Sequence, residues 1–225
     1  MLALEALVDF LLPRGCEVCG KELYVFEKHI CTECLANMPL TYFWITKNNM
    51  AEEVFWGRIK IERVYSLFFY INNYKYLLYK IKYRGNTNLG KWLGAELAKK
   101  IRTQWKEINI DLVVPVPLHP IRKLRRGYNQ AEIIAQGIAN ELNIKVSNKL
   151  IRRKHYTRTQ TKKDKIDRWQ SVANAFESKK SKVKPHHILL VDDVFTTGAT
   201  LEACAIVLTK EYHCLVSIAT LAYVE

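Results

Sequence analysis

The chain has 225 residues, of which 49% are hydrophobic and 25% charged, so a folded core is expected and general disorder is excluded. The 35 lysines and arginines exceed the 22 acidic residues and leave a formal net charge of +13. No apolar run is long enough to span a membrane, and the amino terminus lacks the basic start of a signal peptide. We therefore expect a cytoplasmic protein without membrane insertion, in a reducing compartment where clustered cysteines favour metal binding over disulfides.

The amino-terminal segment predicts a helix followed by a metal site. Leucine and valine recur at helical spacing over residues 2–12, and Pro13 ends the pattern. Two close pairs follow, with eleven residues between them: Cys16, Cys19, Cys31 and Cys34. Each pair supplies two thiolates from one tight turn, so the four predict a closed, tetrahedral, structural Zn²⁺ site. The alternatives are four free thiols or two disulfides.

Beyond the cysteines the pattern is that of an α/β domain. A polar connector is predicted at 46–55, strands at 61–71, 112–116, 188–191 and 216–224, and helices at 74–83, 89–101, 131–142 and 201–208. Strands that alternate with helices predict a mostly parallel sheet flanked by helices, with ligands at the carboxyl ends of the strands. We expect two domains, a helix and zinc module over residues 1–50 and the α/β domain over 51–225.

The segment at 188–201, ILLVDDVFTTGATL, carries the most chemistry. Its apolar start places Asp192 and Asp193 at the carboxyl end of a buried strand. A small-residue turn then opens a helix, formed by Thr196, Thr197, Gly198, Ala199 and Thr200. Such a turn presents backbone N–H groups and hydroxyls to one anion, and the helix dipole adds positive potential. Because adjacent carboxylates repel phosphate and suit hydroxyls or a metal ion, the segment describes a site for ribose 5-phosphate.

Two other interpretations of this segment compete. A response-regulator receiver domain binds magnesium with a similar acidic pair, but it needs several βα units after the pair. Only one predicted helix and one strand remain here. An ordinary strand, turn and helix would not need so long an ordered pattern of acidic and small residues.

Basic residues are concentrated in two places. One follows the Pro-rich turn after the strand at 112–116, and the other runs from Lys145 to Arg168, with ten basic and two acidic residues. A solvated basic face is the ordinary interpretation. A surface for phosphates, pyrophosphate or nucleic acid is the sharper one, and charge alone does not separate a small phosphate ligand from a DNA strand.

The ordered motifs resemble a known family. Residues 188–201 resemble the phosphoribosyl pyrophosphate motif of type I phosphoribosyltransferases. The Pro-Val-Pro-Leu and Arg-Gly-Tyr-Asn-Gln runs within 111–130 look like the ComF family, as do shorter matches at 80–85 and 153–176. The resemblance extends from about Tyr79 to the last residue, with the cysteine module before it.

The resemblance implies a type I phosphoribosyltransferase fold and roles for its residues. Asp192 and Asp193 would meet the ribose 2′ and 3′ hydroxyls, and the turn from Thr196 to Thr200 would hold the 5′-phosphate. It also implies a pyrophosphate-contacting loop around Pro115 to His119, a bridging Mg²⁺ and a basic loop over the site. The candidates on the pyrophosphate side are Arg84, Arg122, Arg126 and Arg158.

Two functions follow as expectations. The first is a magnesium-dependent enzyme that transfers a phosphoribosyl group to an acceptor, which the sequence does not name, and releases pyrophosphate. The second is a factor for DNA uptake in natural competence, which binds single-stranded DNA and competence-machinery proteins. In that case Tyr128, Tyr156 and Trp169 are candidates for base stacking, and binding that is lost with Lys154 and Arg158 and weakens steeply with salt would favour it.

Overall fold

The computed structural model describes residues 14–103, 109–154 and 175–225. The predicted amino-terminal helix and Arg158, Tyr156 and Trp169 lie outside these residues. The strands are β1 (Val64–Phe69), β2 (Leu112–Pro115), β3 (Lys145–Val146), β4 (Ile151–Arg153), β5 (Phe176–Ser178), β6 (His187–Phe195) and β7 (Leu215–Tyr223). The helices are α1 (Thr32–Ala36), α2 (Met50–Glu53), α3 (Lys75–Tyr83), α4 (Thr87–Arg102), α5 (Pro120–Arg126), α6 (Gln130–Leu142) and α7 (Ala199–Tyr212), with a 3-10 turn at Asn72–Tyr74.

Five strands form one parallel sheet in the order β1-β7-β6-β2-β3, and β4 pairs with β5 as a separate antiparallel ribbon. The chain leaves β2 toward β3 on one side and leaves β6 toward β7 on the other. The two connections therefore diverge between β2 and β6, which is where an open α/β sheet forms a ligand crevice. The predicted α/β class with a mostly parallel sheet is confirmed.

Both faces of the sheet are covered, which explains its apolar strands. Along β6, Leu189 and Val191 pack on the face covered by α3, α4 and α6, whereas Ile188 and Leu190 pack on the face covered by α7 and α2. This is the alternation that a strand imposes on neighbouring side chains. The cysteine module packs against the first of these faces, where Cys16 and Cys31 belong to its buried cluster.

The structure corrects the prediction of a polar connector at 46–55. This segment contains α2, and Ala51 and Phe55 are fully buried in the core. Its polar residues are structural: Asn49 caps α2, and Glu52 accepts a 3.0 Å hydrogen bond from Arg63 Nε. Polar composition was misleading because these side chains bond to each other inside the fold instead of to water.

The basic run after the Pro-rich turn is helical and does not form a loop. Helix α5 begins with Pro120, in the first turn, where the backbone N–H that proline lacks would have no partner within the helix. The helix is terminated by Gly127, which adopts the left-handed conformation at φ 80°. Strand β6 also runs past its four apolar residues to Phe195, so the acidic pair lies inside the strand near its end. Among the helices of the described residues, none has the length and hydrophobicity to cross a membrane.

Candidate functional site

A cleft of about 350 Å³ opens at the carboxyl ends of β2 and β6. Its walls bring together the two predicted carboxylates and the complete small-residue turn from Thr196 to Thr200. Four cationic side chains also line it: Lys82, Arg122, Arg126 and Arg153. The cleft therefore lies at the place where the strand connections diverge, and it combines phosphate-binding and hydroxyl-binding chemistry.

The turn after β6 is shaped by Gly198. This residue caps α7 at φ 72°, a left-handed conformation that glycine adopts without strain. A Cβ atom here would lie 3.1 Å from Phe195 Cζ and 3.2 Å from Phe55 Cζ, so a larger residue would also require these rings to shift slightly. No described side chain caps α7. The N–H groups of its first turn are therefore left for another acceptor, and an anion is the natural one.

The acidic pair is held by one lysine and by its own backbone. Lys82 Nζ lies 2.9 Å from Asp193 Oδ2, and the Asp193 N–H donates a 2.8 Å hydrogen bond to Asp192 Oδ1. Burial, together with the negative charge of Asp193, raises the pKa of Asp192 to about 7, against the opposing effects of this N–H group, Lys82 and Arg153. This raised pKa makes Asp192 easier to protonate than a free aspartate, and both carboxyls can bond hydroxyl groups.

The arginines of α5 face the acidic pair across the cleft. Arg126 Nη1 donates a 2.9 Å hydrogen bond to Gln130 Oε1, and its guanidinium lies 5.1 Å from the centre of the Tyr83 ring. Burial lowers the pKa of Arg153, and the charge of Arg122 adds to this effect. Cations held in such an environment favour an anionic ligand, which would relieve both the repulsion and the desolvation.

The predicted site residues separate into three groups. Asp192, Asp193, Arg122, Arg126 and the turn from Thr196 to Thr200 all line the cleft. Arg84 follows α3 as an exposed residue and is not among the cleft-lining residues, so its role stays a prediction. Arg158 lies outside the described residues.

Sequence reasoning gave no role in the site to Lys82 and Gln130. Lys82 belongs to α3, which comes before β2 and β6 in the chain. Gln130 is the first residue of α6, and only 2% of its surface is exposed. Nothing in the local pattern marks one lysine of a Lys-rich helix as facing an acidic pair more than 100 residues later. The available signal was the short resemblance at 80–85, because residues 82–85 spell its Lys-Tyr-x-Gly block.

The carboxylates and phosphate chemistry of the cleft also suit a magnesium ion. Mg²⁺ prefers oxygen ligands and commonly binds through one or two carboxylates together with substrate phosphates. Asp192 is only half-buried, and Asp193 has an oxygen already in contact with a cation, the Lys82 ammonium. The donor set therefore fits the ion that the resemblance implies.

The four predicted cysteine ligands converge. Their sulfur atoms all lie within 4.8 Å of one another, and Cys19 Sγ is 3.8 Å from Cys31 Sγ. Tetrahedral zinc with Zn–S bonds of about 2.3 Å places its sulfurs roughly 3.8 Å apart. All four cysteines are free, which excludes the two-disulfide alternative in this structure. The cluster has the geometry and the donor atoms to hold a metal ion.

Backbone N–H groups prepare these sulfurs for a cation. The Cys31 N–H donates to Cys16 Sγ at 3.3 Å, and the Cys34 N–H donates to Cys31 Sγ at 3.4 Å. Burial raises the pKa of Cys16, but bonds from the backbone of Cys19, Cys31 and Val18 outweigh it and bring the pKa down to about 7. At Cys16 these donors favour the thiolate, which is the form that binds metal. The pKa of Cys34 is instead raised, by burial and by its hydrogen bonds with the neighbouring cysteines.

The cysteine module contacts the α/β domain through Glu17, a residue inside the first cysteine pair. Its carboxylate accepts from Lys80 Nζ at 2.6 Å and from Asn86 Nδ2 at 2.7 Å. Tyr74 adds a 2.7 Å hydrogen bond from its hydroxyl to the Cys34 carbonyl. The module is thereby joined to both ends of α3, the helix that contributes Lys82 to the cleft.

Comparison with known proteins agrees with this geometry. Residues 86–225 match the family model for the phosphoribosyl transferase domain. Competence protein F of Haemophilus influenzae is 30% identical over 200 residues, which cover 87% of this chain and 78% of that protein. The chain belongs to the ComF family.

Other relatives of this ComF-family chain carry related names. Competence protein ComFC of Bacillus subtilis is 28% identical over 199 residues, which cover 85% of this chain and 76% of that protein. DNA utilization protein YhgH of Escherichia coli K12 is 24% identical over 198 residues, covering 87% and 84%. The predicted resemblance and the phosphoribosyltransferase fold are confirmed. Because the domain match begins at residue 86, it does not include the cleft residues Lys82 and Tyr83.

Proposed function

We propose that the cleft binds phosphoribosyl pyrophosphate with Mg²⁺ and transfers the phosphoribosyl group to an acceptor, with release of pyrophosphate. One observation supports this most: the acidic pair and the uncapped turn at Gly198 lie at the same strand end and line one cleft with four cations. Few small molecules present a phosphate, vicinal hydroxyls and a second, more highly charged phosphate group at such spacing.

Each part of the ligand has a matching part of the cleft. In the proposal the turn from Thr196 to Thr200 binds the 5′-phosphate, and Asp192 and Asp193 accept hydrogen bonds from the ribose hydroxyls. Arg122 and Arg126 bind the pyrophosphate, with Arg84 and Arg158 as further candidates. Asp192 and Asp193 would hold Mg²⁺, which would neutralise part of the pyrophosphate charge.

The reaction is a substitution at the ribose C1 atom. A lone pair of the acceptor forms the new bond to C1 while the bond from C1 to the pyrophosphate oxygen breaks, and that electron pair leaves with pyrophosphate. Arg122 and Arg126 stabilise the charge that grows on the leaving oxygen, because they lie beside it before the reaction begins. The acceptor is left to be identified by screening.

Calorimetric titration with phosphoribosyl pyrophosphate and Mg²⁺ tests the proposal. We expect saturable binding by the wild type and its loss in an Asp192→Asn/Asp193→Asn variant. A Glu96→Gln/Glu141→Gln variant removes two surface charges elsewhere and should bind as the wild type does. Absence of binding by folded, metal-loaded wild type would contradict the proposal.

We also propose that the cysteine cluster holds a structural Zn²⁺ ion. The support is the sulfur separation, which matches tetrahedral zinc, and the N–H groups that favour thiolates. A closed four-sulfur site leaves no coordination position for a substrate. Metal analysis of the purified protein should find one zinc per chain, and a Cys19→Ser variant should contain none.

A second function, DNA binding in competence, is favoured by the relatives' names and by one surface. One relative is named for competence, and another is named for DNA utilization. Arg125 and Lys123 are exposed on α5, the helix whose Arg122 and Arg126 line the cleft, and Lys154 is exposed after β4. These residues would bind the phosphate backbone of a single DNA strand, while the cleft stays available for phosphoribosyl pyrophosphate.

Fluorescence anisotropy with labelled single-stranded DNA over a salt series tests this function. A Lys123→Ala/Arg125→Ala variant should bind more weakly and lower the salt dependence by about 0.7 per lost phosphate contact. A Lys210→Ala variant, changed at the far end of α7, serves as the control. Equal affinity and equal salt dependence in all three proteins would exclude α5 as the DNA surface.

A further inference from the structure

Two lysines of α3 have separate partners on opposite sides of the helix. Lys80 bonds to Glu17 of the cysteine module at 2.6 Å, whereas Lys82 lies 2.9 Å from Asp193 in the cleft. Residues two positions apart on an α-helix point about 200° apart, so one helix can serve both regions. Lys82 therefore contacts the Asp193 carboxylate, which in the proposed function bonds to a ribose hydroxyl instead.

The Lys82–Asp193 ion pair is well shielded from water. The side chains are 22% and 12% exposed, in contrast to surface pairs such as Lys21–Glu33 at 65% and 63%. The pair also lies beside a second carboxyl, Asp192, so the lysine offsets repulsion between two adjacent acidic groups. Removing one partner of such a shielded pair is more disruptive than removing one partner of an exposed pair, because the remaining charge is poorly solvated and has no counter-ion.

A bound phosphoribosyl pyrophosphate would compete for the same oxygen. If Asp193 accepts a hydrogen bond from a ribose hydroxyl, or binds Mg²⁺, fewer of its lone pairs are left for the lysine. The ribose carbon that carries the pyrophosphate is bonded to the carbon that carries the 2′-hydroxyl. A pyrophosphate oxygen would therefore lie close to the Lys82 ammonium at the moment when its carboxylate partner is taken.

We propose that Lys82 is an exchangeable counter-ion in the cleft: it neutralises Asp193 in the ligand-free site and moves to the pyrophosphate when the ligand and its metal occupy the acidic pair. This inference rests on the proposed function. It adds to the site a binding residue that lies before the matched domain. It also predicts that Lys82 has opposite effects on the two components of the ligand, because it competes with the metal ion and attracts the pyrophosphate.

Two titrations of Lys82→Met test this, each with zinc-loaded protein. With Mn²⁺ alone, followed by electron paramagnetic resonance, we expect the variant to bind severalfold more tightly than the wild type, because Asp193 has lost its competing cation. With Mg²⁺ and phosphoribosyl pyrophosphate, we expect about tenfold weaker binding or more, because a charged hydrogen bond to the ligand is lost. Methionine keeps the length and apolar stem of lysine, so packing changes little.

Matched variants separate charge from structure. Lys75→Met removes an exposed lysine from the same helix, whose contact is with the Tyr76 ring, and should leave both affinities unchanged. Lys82→Arg retains the charge and should keep Mn²⁺ affinity at the wild-type level while restoring most of the ligand affinity. Equal melting temperatures would show that the variants are comparably folded.

The Mn²⁺ titration does not depend on phosphoribosyl pyrophosphate, so it judges the inference separately. Absence of ligand binding by the wild type would overturn the proposed function, whereas the Mn²⁺ result would still test the competition at Asp193. Mn²⁺ binding by Lys82→Met that is no tighter than that of the wild type would overturn the counter-ion role. A loss of both affinities together would overturn it as well, because it would make Lys82 a purely structural residue.

Discussion

The cysteine cluster and the cleft lie on opposite sides of α3 and handle charge in different ways. The cluster is closed: four sulfurs surround a space for one ion, and backbone N–H groups support their thiolates. The cleft is open and balances two carboxylates against four cations, with one lysine already paired to an acidic residue. In the two proposals, the first region holds a metal ion permanently, whereas the second exchanges partners at its acidic pair.

The largest effect is expected from removing a sulfur from the cluster. In Cys16→Ser a buried thiolate ligand is lost, and since structural zinc supplies on the order of 10 kcal/mol to folding, the module should unfold. Zinc analysis and thermal denaturation measure this. A Cys214→Ser variant, changed at a buried cysteine outside the cluster, should keep its zinc. Unchanged zinc content and melting temperature in Cys16→Ser would contradict the structural role of the cluster.

The second effect tests whether the turn at Gly198 binds phosphate, by comparing it with another glycine whose backbone is equally strained on substitution. Gly198→Ala must adopt φ 72° and place its Cβ against Phe195 and Phe55, at a cost of about 1–3 kcal/mol, and should lose ligand affinity at least tenfold. Gly85→Ala is a matched control, because φ is 69° there but no atom lies within 4 Å of the added Cβ. Both stabilities are measured by denaturant unfolding and both affinities by calorimetry. Equal loss of affinity in the two variants would argue against a phosphate role for the turn.

A third change tests whether the two regions communicate through α3. Glu17→Gln weakens the contacts to Lys80 and Asn86 and should lower stability by about 1 kcal/mol, with ligand affinity reduced a few fold and zinc content unchanged. Glu33→Gln removes an exposed ion pair with Lys21 and should have no effect on affinity. If Glu17→Gln is less stable but binds the ligand normally, the contacts between the cysteine module and α3 do not affect ligand binding in the cleft.

The last test is the pH dependence of stability. Burial and the charge of Asp193 raise the pKa of Asp192 from its ordinary value to about 7, so between these values the folded protein binds more protons than the unfolded chain. Stability from this group therefore falls as pH rises from about 4 to 7. The buried His187, whose pKa is lowered mainly by burial, acts in the opposite direction, since its contribution is lost as pH falls below about 6.5.

The difference between wild type and Asp192→Asn isolates the Asp192 contribution, because His187 is the same in both. We expect the variant to gain stability relative to the wild type as pH rises from 5 to 7.5 in urea unfolding at several pH values. A constant difference over this range would mean that Asp192 titrates normally in the folded protein.

Most helices and strands could be predicted because their signals are local. Strands β2 and β7 are continuous apolar runs, and α4 and α6 have apolar residues at helical spacing, so each was found near its observed bounds. Strand β6 was predicted to end at Val191 but extends to Phe195. The prediction of a polar connector at 46–55 was wrong because Glu52 and Arg63 form an ion pair inside the fold, which the composition of the segment does not reveal. The domain boundary at residue 50 stays a prediction.

The sequence by itself determined the cysteine cluster and the pairing of carboxylates with a phosphate turn. In both cases the chemistry lies within fewer than 20 consecutive residues, where spacing alone places the groups together. Only the tertiary structure decided that Lys82 meets the acidic pair, that Arg84 is not among the residues lining the cleft, and that Glu17 joins the module to α3. These contacts depend on the direction in which a helix presents each side chain to a strand more than 100 residues away, and such a direction is set by packing.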